Sequence, residues 1–89
     1  MPVISMFYGL IIRMFFVDTD RHNLPHIHVE FGDFKAVVAL DNGEVLAGNL
    51  PGSKLKLVHA WIEIHREELS ADWTLAAKGE PVFKIEPLR

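Results

Sequence analysis

The stretch HIHVEFGDFKAVVALDNGEVLAG, residues 26–48, contains two tight-turn signals that decide the fold. The pairs Gly32-Asp33 and Asn42-Gly43 each stand between runs of apolar, β-prone residues. Both dipeptides are typical of two-residue hairpin loops. The pattern therefore predicts three consecutive antiparallel strands, at about 26–31, 34–40 and 44–49.

Two-residue loops also determine which residues face each other across the strands. The first loop places Ile27 opposite Val38, and the second places Val38 opposite Ala47. The second loop also places Leu40 opposite Val45. One face then holds Ile27, Val29, Phe31, Phe34, Ala36, Val38, Leu40, Val45 and Ala47, and the reverse face holds His26, His28, Glu30, Lys35, Val37, Ala39, Glu44, Leu46 and Gly48. A one-residue slip would exchange the two faces, so the agreement between both hairpins supports this register.

The segments on either side complete the predicted fold. Residues 8–17 form a predicted strand that is apolar on both faces except at Arg13, so both faces need cover. We therefore expect a helix to cover one face of this strand and a partner chain to cover the other. The partner chain could be a second copy of this protein. Apolar residues at helical spacing predict a long helix over 53–69.

The end of the chain predicts a second helix over 71–78, with Ser70 as its N-cap and Gly79 just past its end. Residues 82–85 are predicted as a short final strand. The fold class is therefore α+β, one domain over 1–89: an antiparallel β-meander of about four strands with two C-terminal helices packed on one face.

Composition limits the function classes. Nine Lys and Arg against twelve Asp and Glu give a net charge of −3, which disfavours non-specific nucleic-acid binding. The apolar segment 6–17 is interrupted by Arg13 and is shorter than the roughly 20 residues that span a bilayer, so no membrane insertion is expected. The chain has no cysteine, which fits the cytoplasm and leaves only His, Asp or Glu as metal ligands.

Histidines are concentrated at the start of the first hairpin. On a strand, His26 and His28 project from the same face, with Cα atoms about 6.5–7 Å apart. Such a pair can give two ligands to a divalent transition metal such as Zn²⁺, with a third ligand from His22, Asp20 or a helix residue. A water bound to such a metal could act as a hydrolytic nucleophile.

Two other interpretations of these residues remain open. The same region could be a binding surface made of His22, Pro25, His26, His28, Glu30 and Arg13. Arg13 is the only charge in its apolar segment, so it either pairs with a carboxylate or anchors an anionic group. The histidines could instead be structural, hydrogen-bonded to the polar turn that contains Asp18, or they could act as a pH sensor.

Other aromatic side chains lie on the predicted helices. Trp61 and Trp73 stand among aliphatic residues and are predicted to anchor the core. His65 falls on the apolar stripe of the long helix, where a hydrogen-bonded core histidine is expected. The pattern does not assign a role to His59.

Five segments resemble a known family along nearly the whole chain: ISMFYGLIIRMFF (4–16), HNLPHIHVEFG (22–32), GEVLAGNLP (43–51), WIEIHREEL (61–69) and KIEPLR (84–89). They are similar to the small bacterial proteins grouped as domain of unknown function 4160. That family usually has two adjacent prolines before its paired histidines, whereas here Leu24 precedes Pro25. The resemblance implies a bacterial cytoplasmic protein that is often encoded beside another small protein, as in toxin–antitoxin-like pairs. It implies no catalytic residues.

These observations predict a protein-interaction module of a toxin–antitoxin-like two-component pair. The alternative is a metal-dependent hydrolase that uses the H-x-H pair. A ribonuclease toxin is disfavoured because the charge balance offers no RNA-binding track. The sequence leaves open whether the protein is an enzyme.

Overall fold

The structure, a computed structural model, describes residues 2–16 and 24–88. It contains five strands and two helices: β1 (Val3–Phe7), β2 (Leu10–Arg13), β3 (His26–Phe31), β4 (Phe34–Ala39), β5 (Val45–Gly48), α1 (Gly52–Ile64) and α2 (Arg66–Ala77). The strands form one antiparallel sheet in chain order. The predicted α+β class is confirmed, with five strands in place of about four.

The β3–β4 hairpin has the predicted register. Ile27 faces Val38 and Phe31 faces Phe34 across the two-residue loop at Gly32. Ile27 and Val38 are fully buried against the helices, as expected for the apolar face.

The predicted register of the β4–β5 hairpin is wrong. Val38 faces Val45, and a bulge then places Ala47 opposite Val37, on the face away from the helices. The loop is wider than two residues, because the Ala39 N–H donates to the carbonyl of Glu44 at 2.8 Å.

Side chains from the helices hold this wider loop. The Arg66 guanidinium donates to the carbonyls of Leu40 at 3.0 Å and Asp41 at 3.2 Å. His59 Nε2 donates to the carbonyl of Gly43 at 2.7 Å. Tertiary hydrogen bonds therefore override the local preference of the Asn-Gly pair for a two-residue turn.

The N-terminal region is a hairpin, so the prediction of one strand over 8–17 is wrong. Strands β1 and β2 pair through Phe7 and Leu10, and the loop between them is Tyr8-Gly9. Gly9 has a φ of +81° and Tyr8 a φ of +50°. Sequence rules give tyrosine no weight at such a position, which is why the turn was missed. Val17 lies outside the described residues.

The helices also end at other positions than predicted. The chain leaves helical geometry at His65, which has φ −111° and ψ 27°, and Ser70 lies within α2. The predicted N-cap at Ser70 is therefore wrong. The apolar spacing runs through the break, because Ile62 and Leu69 both contact the core, so the pattern does not mark it. Gly79 follows the end of α2 with φ +74°, as predicted.

Residues 82–85 do not form the predicted strand. The only backbone hydrogen bond between the described part of this segment and β1 joins the Ile85 N–H to the Ile4 carbonyl at 2.7 Å. Pro81 and Pro87 stand on either side and lack the N–H groups that a ladder needs. The segment is held by side chains as well, since Trp61 Nε1 donates to the Glu86 carbonyl at 2.8 Å.

The core lies between the helices and one face of the sheet. Trp61 is fully buried, which confirms it as an anchor, while Trp73 is partly buried at the edge of the core. His65 is mostly buried beside Trp61 and its Nδ1 lies 2.6 Å from Glu68, as expected for a hydrogen-bonded core histidine. Neither helix of the described chain is long and apolar enough to cross a membrane.

Candidate functional site

The face of the sheet that points away from α1 and α2 is the candidate site, and we call it the outer face. Strand register places two rows of side chains across it: Met6, Ile11, Glu30 and Lys35 in the first row, and Arg13, His28, Val37 and Ala47 in the second. Within the described chain, α1 and α2 leave these two rows uncovered, and only Trp73 of α2 reaches round to cover His26 at one end of the face. The rows mix aliphatic groups with one acidic and two basic side chains.

Arg13 pairs with a carboxylate, which is one of its two predicted roles. Its Nε lies 3.1 Å from Oε2 of Glu30, and both side chains are about 30% exposed. Glu30 stands directly opposite Lys35, but its carboxylate bonds to Arg13 on the neighbouring strand. Lys35 forms no ion pair within the described residues, so the outer face presents one cation that no carboxylate neutralises.

A shallow groove of about 210 Å³ runs along the second row, lined by His28, Val29, Glu30, Lys35, Ala36, Val37, Ala47 and Gly48. Gly48 allows the backbones to approach here, because a Cβ at this position would lie 2.0 Å from the Lys35 carbonyl oxygen. The lining of this groove is mainly apolar, and Lys35, Glu30 and His28 are its polar members.

The two strand histidines converge at one end of the outer face. The ring centroids of His26 and His28 are 5.1 Å apart. Phe15 stacks on His28 with a centroid distance of 4.0 Å and an angle of 14°. Alternation predicted that both imidazoles project from the face opposite the apolar one, as a binding surface would need, but His26 is only 1% exposed because Trp73 covers it at a ring-centroid distance of 5.0 Å.

The protonation of His26 follows from its hydrogen bond. Its Nδ1 lies 2.7 Å from the carbonyl oxygen of Leu24, which can only accept, so Nδ1 carries the proton. Nε2 of the neutral ring then has a lone pair, the form in which an imidazole binds metals.

The other predicted site residues do not join this pair in the described chain. His22, Asp18 and Asp20 lie outside the described residues. Pro25 lines a different groove, of about 190 Å³, together with Trp73 and other residues of the helices. Within residues 2–16 and 24–88, no three His, Cys, Asp or Glu side chains are grouped so that they could hold a metal ion.

One buried carboxylate lies away from this site. Asp72 is 3% exposed, and its Oδ1 accepts the Phe83 N–H at 3.0 Å. Burial raises the pKa of Asp72, the nearby Glu68 charge adds to that effect, and the bond from Phe83 opposes it. Nothing in the sequence pattern marks this residue, because Asp72 stands in a polar stretch of a helix.

The fold and the outer face define an α+β protein with a five-stranded antiparallel meander, covered by two helices on one face only. The family described as Domain of unknown function (DUF4160) matches residues 9–74. The chain therefore belongs to this family. No curated protein and no solved structure matches the chain. The matched range includes β2 to β5, α1 and most of α2, whereas β1 and the segment after residue 74 lie outside it.

Proposed function

We propose that this protein is an interaction module, one member of a toxin–antitoxin-like pair in the bacterial cytoplasm, and that it binds its partner protein through the outer face. The observation that supports the proposal is the uncovered sheet face itself. Its two rows combine aliphatic side chains with Lys35, which has no carboxylate partner among residues 2–16 and 24–88. Partly apolar faces with a few charges are typical of protein interfaces.

The test measures binding to the proposed partner, the small protein that the family resemblance implies is encoded beside this one. Lys35→Glu and Val37→Glu alter the outer face, and we expect each to weaken binding by about tenfold or more, because each places a carboxylate where the partner docks. Matched controls carry the same changes on α1: Lys56→Glu and Ile64→Glu alter exposed residues there.

Circular dichroism spectra of the four variants are compared with that of the wild type as a control for folding. If the controls weaken binding as much as the outer-face variants do, the interface lies elsewhere. Light scattering of the protein alone distinguishes a partner from a second copy: self-association that Val37→Glu abolishes would make the outer face a homodimer interface.

The hydrogen bond of His26 favours a second candidate, a transition-metal site that includes His26 and His28. A metal such as Zn²⁺ would supply an activated water for hydrolysis. A third ligand is needed for a site of this type, and His22 remains the predicted one.

The measurement is metal content after purification without a histidine tag, followed by melting with added Zn²⁺, Mn²⁺ or Ni²⁺. If the site exists, a metal raises the melting temperature of the wild type and has no effect on His28→Ala. His59→Ala, which removes an imidazole from α1, should keep the metal response. A wild type with no metal and no shift would rule the site out.

A further inference from the structure

The tip of the β1–β2 hairpin contains a strained residue. Tyr8 has a φ of +50° and Gly9 a φ of +81°, and left-handed φ at both loop positions is typical of a type I′ turn. Glycine and asparagine adopt this conformation readily, whereas a bulky side chain raises its energy. Asparagine at position 8 would therefore suit the turn better than tyrosine does.

The fold uses the backbone of Tyr8 and makes little use of its side chain. Lys54 Nζ donates to the Tyr8 carbonyl at 3.0 Å, a bond that any residue at this position would keep. The residue is 56% exposed, and its hydroxyl has no hydrogen-bond partner within the described chain. A strained and exposed aromatic residue that the fold does not need indicates a contact outside the chain.

Other exposed groups surround Tyr8 at this end of the sheet. The β1–β2 turn, Tyr8-Gly9, and the β3–β4 turn, Gly32-Asp33, lie at the same end of the sheet, because the chain of a meander reverses direction at every turn. We call the group there the tip patch: Met6 (62% exposed), Tyr8, Phe34 (40% exposed), the exposed Lys35, and the half-buried Lys54, whose ammonium lies 4.8 Å from the centroid of the Phe31 ring. Met6 and Lys35 also belong to the first row of the outer face, so the patch continues that surface.

The charge of the tip patch is opposite to that of the whole chain. Its two lysines have no carboxylate partner in the described residues, and Asp33 is the one acidic residue in the turns beside them. The whole chain has a net charge of −3. A cationic and aromatic patch on an acidic protein favours an acidic partner segment over a second copy, which would bring the same cations to the contact.

We propose that Tyr8 anchors the partner: its ring packs against an apolar side chain of an acidic protein segment, and carboxylates of that segment pair with Lys35 and Lys54. This inference depends on the proposed interaction function and names the chemistry of the partner. A nucleic acid is also anionic, but the acidic balance of the chain and Asp33 disfavour a phosphate backbone.

The test compares Tyr8→Asn and Tyr8→Phe with the wild type, by calorimetric titration with the protein encoded beside this one and by thermal melting. Tyr8→Asn should raise the melting temperature by about 4 °C, because asparagine relieves the turn, and weaken binding by about tenfold or more. Tyr8→Phe keeps the ring and should bind within about twofold of the wild type.

The results distinguish failure of the Tyr8 anchor from failure of the proposed outer-face function. If Tyr8→Asn binds like the wild type while Lys35→Glu does not, the anchor is overturned and the outer-face function stands. If the wild type itself does not bind the neighbouring protein, both fail. A fall in melting temperature for Tyr8→Asn would show that the ring serves the fold. Binding of a single-stranded DNA oligonucleotide that is lost in Tyr8→Asn would overturn the choice of a protein partner.

Discussion

Asp72 is a buried carboxyl group whose surroundings disfavour the ionised form. Its Oδ2 is buried without a hydrogen-bond partner, and burial raises the pKa of the carboxyl group. A raised pKa in the folded state means that Asp72 contributes stability below its ordinary pKa of 3.8, and that this contribution is lost as the pH rises through the folded value. The ionised carboxylate therefore lowers the stability of the fold at neutral pH.

The variant Asp72→Asn tests this linkage. The amide oxygen can still accept the Phe83 N–H, while the buried charge is removed. Relative to the wild type, we expect the free energy of unfolding of the variant to rise as the pH increases from below 3.8 to neutrality, by about 1 kcal/mol in total. Urea denaturation across this range measures it, with Glu67→Gln, an exposed residue of α2, as the control. A difference that is the same at every pH would contradict the account.

Gly48 gives a second prediction at this scale. A side chain here meets the Lys35 carbonyl at 2.0 Å and also needs a φ of +73°. We expect Gly48→Ala to lower the free energy of unfolding by about 3 kcal/mol or more. Gly32→Ala is the matched control, because its φ of +56° is similar but no atom lies within 4 Å of the added Cβ, so it should lose only about 1 kcal/mol. Equal losses of unfolding free energy for the two variants in urea denaturation would show that the positive φ alone, and not the close contact with Lys35, requires glycine at position 48.

At the scale of elements, the β4–β5 loop and the helices depend on each other. The break at His65 starts α2 at Arg66, whose guanidinium binds two loop carbonyls and also lies 2.8 Å from Glu63. The sequence showed where the loop is but not its width, because the width depends on side chains far along the chain. Register across a loop is therefore the feature that local turn rules predicted least well here.

Removing the guanidinium should loosen this loop. We expect Arg66→Met to lower the free energy of unfolding and to speed hydrogen exchange at the Ala39 and Gly43 amides, which bond within the loop. Lys56→Met removes a cation from an exposed position of α1 and should change neither. Unchanged exchange at both amides in Arg66→Met would mean that the loop keeps its shape without the helix.

The elements that were predicted well are those with local signals. The β3–β4 hairpin is determined by Gly32-Asp33 and by strict alternation, so its register followed from sequence. Alternation also placed His28 on the outer face. It could not show that Trp73 covers His26, because that contact depends on where α2 begins and how it packs. Tyr8 was missed for a different reason: sequence rules describe favourable turns, and this one is strained.

At the scale of the whole molecule, the two faces of the sheet differ in what covers them. The helices bury the face with Ile27 and Val38, and the described chain leaves the rows with Arg13 and Lys35 uncovered. Membership of a family of unknown function assigns no activity, so the proposal depends on this asymmetry. A binding measurement distinguishes an interface on this face from a sheet face that is covered by water alone.

The most direct measurement is an NMR titration of the labelled protein with its proposed partner, the neighbouring small protein that the family resemblance implies. The account predicts that the largest chemical-shift changes lie on the outer face, at Ile11, Lys35, Val37 and Ala47, and at Tyr8 on the tip. Changes confined to α1 and α2, with the signals of these strand residues unmoved, would contradict it.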